Sequence, residues 1–340
     1  MRVRVLLLAD THLGFDLPVR PRVERRRRGP DFFANTRLAL EPALRGEVDL
    51  VVHGGDLLFR SKVPGGLVAA ALEPLLEVAD TGVPVLLVPG NHERSALPYP
   101  MLASHADLHV FDRPRTVVLN TKGVRIAVSG FPCDRDCIQS RFPDLVRATG
   151  WQDQEADIRL LCLHQTVEGA QVQNYTFRGG ADVIRGRDIP GQFAAVLSGH
   201  IHRSQVLERD LTGRALAAPV FYPGSVERTS LAERHESKGF FTMRVAPEAG
   251  RGGRVVDHVF HELPARPMCA VVVDPTGLDA VALSRRLADE VSALAPDAVV
   301  QVRVDGDLAP GAEAALRAEN VRSLHPPTMT VDLRLKRPRR

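Results

Sequence analysis

Val3-Arg4-Val5-Leu6-Leu7-Leu8-Ala9-Asp10-Thr11-His12 is the stretch whose reading decides the fold. Its near-continuous apolar run, rich in Val and Leu, reads as a strand buried on both faces. It stops abruptly on an acid and an imidazole. A spacing of two places Asp10 and His12 on one side of an extended backbone, so both could reach one metal ion. The pattern alone is weak, since Asp107-Leu108-His109 has the same form with no strand end behind it. The run is short and lacks a small-residue cleavage site, so it reads as a first strand and not as a signal peptide.

The same sentence recurs along the chain. Leu50–His53, Val83–Val88, Val124–Ser129, Ile158–His164 and Ala194–Ser198 read as further strands, with helical spacing over Asp31–Leu44 and Gly66–Ala79. Strand–helix alternation of this kind predicts an α/β sheet covered by helices. After Ser198 short strands follow around Gln205–Glu208, Arg214–Ala217, Gly239–Val245 and Val255–Phe260, which suggests an antiparallel sheet packed on the first. Prolines at Leu263-Pro264-Ala265-Arg266-Pro267 mark a boundary. Residues 1–262 form the large domain in this reading. Residues 266–335 form a small α+β unit: strand Cys269–Val273, helix Gly277–Leu294, strand Val299–Val304, helix Gly311–Arg317 and strand Thr328–Leu335, with 336–340 a basic tail.

Each early strand ends on residues with chemistry to offer. Gly54-Gly55-Asp56 follows the second strand, Gly90-Asn91-His92-Glu93 the third, and His164 ends a strongly apolar run. Gly199-His200-Ile201-His202 again sets two imidazoles at a spacing of two behind a glycine. In open α/β sheets ligands bind outside the carboxyl ends of the strands, where all five motifs fall. Asp10, His12, Asp56, Asn91, His164, His200 and His202 supply two carboxylates, one amide and four imidazoles, with no thiolate. Mixed oxygen and nitrogen donors suit manganese, iron or zinc, and exclude a cysteine-bound structural zinc. Seven donors exceed what one such ion takes, and they fit two ions sharing a carboxylate.

Composition narrows the class. The 340 residues are 44% hydrophobic and 25% charged, which excludes wholesale disorder. No run approaches the roughly 20 apolar residues of a membrane-spanning helix. Cys133, Cys137, Cys162 and Cys269 have no regular spacing, as expected of reduced thiols in a cytoplasmic protein. The net charge is +3, and all but Lys62, Lys122, Lys238 and Lys336 of the 44 basic residues are arginine. Codon bias explains such a skew, and so does phosphate binding by guanidinium forks. Arg20, Arg22, Arg25, Arg26, Arg27 and Arg28 are candidate contacts to a nucleic-acid backbone or a solvated loop. Tyr175 and Phe177 are candidates for base stacking or for packing. Leu97, Met101 and Leu102 suit a homodimer face or a core.

The ordered set Asp-x-His, Gly-Gly-Asp, Gly-Asn-His-Glu, His and Gly-His-x-His resembles the calcineurin-like metallophosphoesterase superfamily. Asp10-Thr11-His12-Leu13-Gly14, the Arg-rich stretch into Asp31-Phe32-Phe33, and Tyr222-Pro223-Gly224-Ser225-Val226-Glu227-Arg228-Thr229 are similar to its SbcD-like DNA repair exonucleases, including the YhaO-type branch. The resemblance implies a four-layer α/β/β/α sandwich with a small α+β C-terminal cap. It also implies one metal held by Asp10, His12, Asp56 and His202, a second by Asp56, Asn91, His164 and His200, and His92 beside the scissile phosphate. Glu93 or another acid would orient His92. The implied activity is hydrolysis of DNA by a metal-bridged hydroxide, exo- or endonucleolytic, with two Mn2+ ions expected and iron or zinc as alternatives. An SMC-like ATPase is the implied partner. Gly55-Asp56-Leu57-Leu58-Phe59-Arg60 departs from the family's Gly-Asp-Leu-Phe-His. The same chemistry on a small phosphoester, cyclic nucleotide or phosphoprotein is the alternative reading, and a catalytically idle DNA-binding scaffold is the reading from another class.

Overall fold

The computed structural model describes residues 2–17, 27–93, 105–248 and 250–335. In chain order these form β1 (Val3–Leu8), α1 (Gly29–Leu44), β2 (Leu50–His53), α2 (Gly65–Asp80), β3 (Val85–Leu87), β4 (Leu108–Val110), β5 (Arg115–Thr121) and β6 (Val124–Gly130). There follow α3 (Ile138–Ala148), β7 (Ile158–His164), β8 (Thr166–Val167), β9 (Gln171–Val172), β10 (Tyr175–Thr176), β11 (Val183–Ile184) and β12 (Ala195–Gly199). The remaining elements are β13 (Gln205–Arg209), β14 (Ala215–Tyr222), β15 (Gly239–Glu248), β16 (Arg251–Glu262), β17 (Met268–Val273), α4 (Ala280–Ser292), β18 (Val299–Val304), α5 (Ala318–Ser323) and β19 (Thr330–Leu335). No helix among the described residues is long and apolar enough to cross a membrane.

Two six-stranded sheets dominate, in the orders β16-β15-β1-β2-β3-β4 and β13-β14-β12-β7-β6-β5. The central strands are parallel in both, and an antiparallel partner closes the β13, β5 and β15–β16 edges. The expected separate antiparallel sheet after Ser198 is therefore corrected. β13 and β14 extend one sheet beside β12, and β15 and β16 extend the other beside β1. Alternation of apolar residues describes each strand's two faces and says nothing about which sheet recruits it.

The period-two pattern builds the layers directly. Leu6 and Leu8 of β1 join Phe32, Leu40, Leu72 and Leu75 of α1 and α2 in one core cluster. Val3, Val5 and Leu7 point the other way, packing with Leu160, Cys162, Leu197 and Phe221 of the second sheet. Leu161, Leu163 and Val196 then face Ile138, Phe142 and Val146 of α3. Helices, sheet, sheet and helix make four layers, the α/β architecture expected. Each central strand is buried on both faces, which is why its sequence reads as a continuous apolar run.

The described residues form two compact units. The first takes in those of Met1–Phe15, Asp31–Arg228 and Glu236–Pro264. The second takes in those of Asp16–Pro30, Thr229–His235 and Ala265–Arg340. In the second, β17, β18 and β19 form a parallel sheet, with α4 on the crossover between β17 and β18. Its core joins Val271, Val300 and Val302 to Leu283 and Leu287.

Register levels the strand ends that matter. Leu8 pairs with His53, His53 with Leu87, and Gly199 with His164. The loops after these strands therefore start at one height on each sheet. Between the sheets the backbones come close enough that a Cβ on Gly54 would lie 2.8 Å from Gly199 N, and one on Gly199 would run into the Gly54 carbonyl. Neither neighbour is a flexible side chain. Gly199→Ala should therefore cost about 1–3 kcal/mol of stability through overpacking, read as a lower denaturation midpoint; an unchanged midpoint would show that the sheets have slack there.

Candidate metal centre

All seven sequence-predicted donors and His92 lie at this shared strand end. His12 Nε2 is 2.9 Å from His202 Nε2, and His202 Nε2 is 4.0 Å from an Asp10 oxygen. Asn91 Oδ1 sits 3.0 Å from both His164 Nε2 and His200 Nδ1. Asp56 Oδ2 lies 3.5 Å from His164 Nε2 and 3.6 Å from His92 Nε2. Asp10 with His12 and His202, His12 with Asp56 and His92, and Asp10 with Asp56 and His164 each bring donor atoms within metal-binding range of one another. Asp107 and His109 join no such group among the described residues.

The chemistry of this set suits cations. His164 Nδ1 donates to Gly54 O at 2.8 Å, so in the neutral ring Nε2 carries a lone pair. That lone pair faces the Asn91 oxygen and the Asp56 carboxylate. The Nε2 atoms of His12 and His202 also point at each other, a contact that needs either a proton on one of them or a cation between them. Acceptors aimed at acceptors in a buried pocket repel unless a proton or a cation stands between them.

The electrostatics express the same tension. Burial pushes His12 and His200 down to about 3. Burial also depresses His164, yet the Asp56 carboxylate, its hydrogen bond, Asp10 and the Gly54 carbonyl outweigh it and lift the ring to about 9. Burial raises Asp10 to about 6 against the pull of His164 and His202. Burial acts upward on Asp56 too, but the surrounding imidazoles hold it well below the usual carboxylate range.

Backbone geometry carries a further mark of a site. Asp10, His12, Asp56 and His200 all adopt positive φ, between 42° and 83°, although none is glycine. Non-glycine residues in this region store strain of order 1–3 kcal/mol each and gather at functional sites. A hydrogen-bonded zip holds them there: Asp10 N donates to Gly55 O at 2.9 Å, His12 N to Asp56 O at 3.0 Å, and His200 N to both Asp10 oxygens at 3.0 and 3.1 Å.

Several supporting roles were not visible in the sequence. Glu93 is fully buried, and its carboxylate accepts from Gly90 N at 2.7 Å, Leu58 N at 2.8 Å and Asp56 N at 3.0 Å. It ties two metal-site loops together and does not orient His92. His92 Nδ1 instead donates to Phe59 O at 2.5 Å. Burial, aided by Asp56, pushes Glu93 up to about 8 against the pull of its backbone donors. His53 accepts from Gly55 N at Nδ1, so its Nε2–H donates to Thr11 Oγ1, whose hydrogen goes to Leu57 O. Burial holds that ring neutral, at about 3. The His202 carbonyl accepts from Ser225 N at 3.1 Å and from the buried Lys238 Nζ at 2.8 Å. Side chains bonded to backbone groups leave no spacing signal; the Asp56 and Gly90 motif contexts are the only hints.

The arginine cluster divides. Arg20, Arg22, Arg25 and Arg26 lie outside the described residues, as do Leu97, Met101, Leu102 and the basic tail. Arg27 pairs with Asp16 at 3.3 Å, and Arg28 is buried.

A family model for calcineurin-like phosphoesterases matches residues 3–204. The chain belongs to this family. Calcineurin-like phosphoesterases use two divalent metal ions, and the donors assembled here suit such ions. Among relatives, the DNA double-strand break repair protein Mre11 of Archaeoglobus fulgidus is 29% identical over 238 residues, covering 66% of this chain and 50% of that protein. The Mre11 protein of Haloferax volcanii is 28% identical over 317 residues, covering 89% of this chain and 62% of that protein. The chain thus spans between half and two thirds of the length of these relatives.

Replacing Glu93 tests how this family member holds its loops. In Glu93→Gln an amide NH2 must face a backbone N–H whichever way the group turns. The lost bond and the donor–donor contact should cost about 1–3 kcal/mol. Denaturant unfolding and calorimetric Mn2+ titration should show lower stability together with weaker metal binding. Unchanged metal affinity would separate Glu93 from the centre.

Proposed function

We propose that the chain is a two-metal phosphodiesterase that hydrolyses DNA. The observation that carries the chemistry is the buried convergence of Asp10, His12, Asp56, Asn91, His164, His200 and His202, oxygen and nitrogen donors brought within metal-binding range of one another. The separation into His12–His202 and Asn91–His164–His200 subsets supports one ion held by Asp10, His12, Asp56 and His202, and another by Asp56, Asn91, His164 and His200. Asp56 falls within range of both His12 and His164, which favours it as the bridge. Similarity to Mre11 repair proteins supports DNA as substrate.

Two divalent cations, when bound, lower the pKa of a shared water and neutralise charge on the phosphate oxygens. The protein's own groups do the rest. With Nδ1–H committed to Phe59 O, His92 presents Nε2 toward the site, where it can hold a proton for the departing oxygen. The positive-φ loops keep the donors in place before substrate arrives.

Asp56→Ala should lower bound Mn2+ from about two equivalents towards none, whereas His12→Ala should spare one ion, measured by metal analysis after gel filtration. Two ions retained in Asp56→Ala would remove the bridge from the account. His92→Ala should keep both ions while kcat drops by about 10²–10⁴-fold; a lost metal would make His92 a ligand. Activity with Mn2+ on single-stranded DNA and on a small aryl phosphodiester decides the substrate class. Turnover of both supports the DNA reading, and turnover of the aryl ester alone moves the assignment to a small phosphoester.

A further inference from the structure

Tyr175 stands apart from the chain's other described aromatic side chains. It is 60% exposed, and no other described Phe, Trp or Tyr is in the exposed range. A solitary exposed ring is ordinary on a protein surface. This one is held in a specific place. β9 and β10 form a hairpin, Tyr175 pairing with Val172 and Thr176 with Gln171. The hairpin follows the carboxyl end of β7, the end on which His164 lies.

Three hydrogen bonds from Gln205 and Arg203 fix the hairpin at that end. Gln205 accepts from Gln171 N at 2.8 Å and its amide donates back to Gln171 O at 2.9 Å, so both backbone groups of one hairpin residue are satisfied by one side chain. The same amide also donates to Arg203 O at 3.2 Å, and Arg203 Nη1 donates to Gln173 O at 3.1 Å. Arg203 directly follows the candidate ligand His202. At the hairpin's base, Phe177 N donates to Ala170 O and Gly169 N to Phe177 O. Phe177 packs on the core cluster that contains Tyr222 and meets Tyr175 edge-on, with ring centroids 5.0 Å apart at 89°. In a T-shaped pair Phe177 can cover at most one face of the Tyr175 ring, which leaves the other available in this 60% exposed side chain.

We propose that Tyr175 is a stacking platform for one unpaired nucleobase of the strand whose phosphodiester occupies the metal centre. This rests on the DNA reading above and deepens it, because a base is available to an aromatic face only where the strand is single or frayed. Arg203, whose guanidinium bonds the hairpin at Gln173 O, and the exposed Arg178, three residues on from Tyr175, supply positive charge on this segment for the adjoining phosphates. Combined aromatic and cationic contacts of this kind grip single strands with little regard to sequence.

The test compares wild type, Tyr175→Ala and Tyr175→Phe with Mn2+ on a single-stranded oligonucleotide, on the same oligonucleotide carrying one abasic spacer at successive positions, and on an aryl phosphodiester. Stacking on one base is worth about 5- to 150-fold in affinity, so Tyr175→Ala should lose about that much kcat/KM on the oligonucleotide, carried in KM. Tyr175→Phe should stay within about twofold of wild type. Aryl ester turnover and Mn2+ content should not change. At one position the abasic spacer should cost wild type as much as the alanine substitution does, and cost Tyr175→Ala nothing further. Equal oligonucleotide kinetics in wild type and Tyr175→Ala, or equal losses on both substrates, or spacer effects that add to the substitution at every position, would overturn the platform. A wild type that turns over only the aryl ester would overturn the DNA reading itself, and the platform with it.

Discussion

Two carboxylates, Asp10 and Asp56, are sunk almost completely out of water among four imidazoles and an amide oxygen. Burying such groups is strongly unfavourable unless opposite charge compensates them. Here the compensation from the protein's own atoms is incomplete. His164 takes up a proton well above its usual range, while His12 and His200 are held neutral by burial. Cations resolve this arrangement in a way that side chains do not, and the surrounding structure is organised to keep it from relaxing.

That organisation is mostly backbone. The parallel strands of two sheets end level with one another, and Gly54 and Gly199 let the sheets touch at that height. Four donors sit in left-handed backbone conformations, which persist only where neighbours over-determine them. Glu93 and the His53–Thr11 pair provide that, each bonding the loop after one strand to the loop after another. The donors would therefore be positioned before metal or substrate binds, the condition under which electrostatic stabilisation of a transition state is most effective.

The central strands and the convergence of the candidate donors were legible in the sequence because both are written locally. Val3–Leu8 has one continuous apolar pattern, and Asp10 and His12 follow it without a gap. Helix α3 was not read, although Ile138, Phe142 and Val146 repeat every four residues on one face of it. The allocation of β13 through β16 to two different sheets is a non-local choice that periodicity does not encode. Glu93 was legible as part of a motif and its role was not, since its partners are backbone N–H groups. Lys238 gave no signal at all: a single lysine far along the chain is buried against the His202 carbonyl.

The central claim is a pair of ions straddling Asp56. Crystals grown with Mn2+, with diffraction recorded on both sides of the manganese absorption edge, test it most directly. The account predicts two anomalous peaks roughly 3.5–4 Å apart, one beside His12 and His202, the other beside Asn91, His164 and His200, with the Asp56 carboxylate between them. A single peak, or a pair not bridged by Asp56, would contradict it.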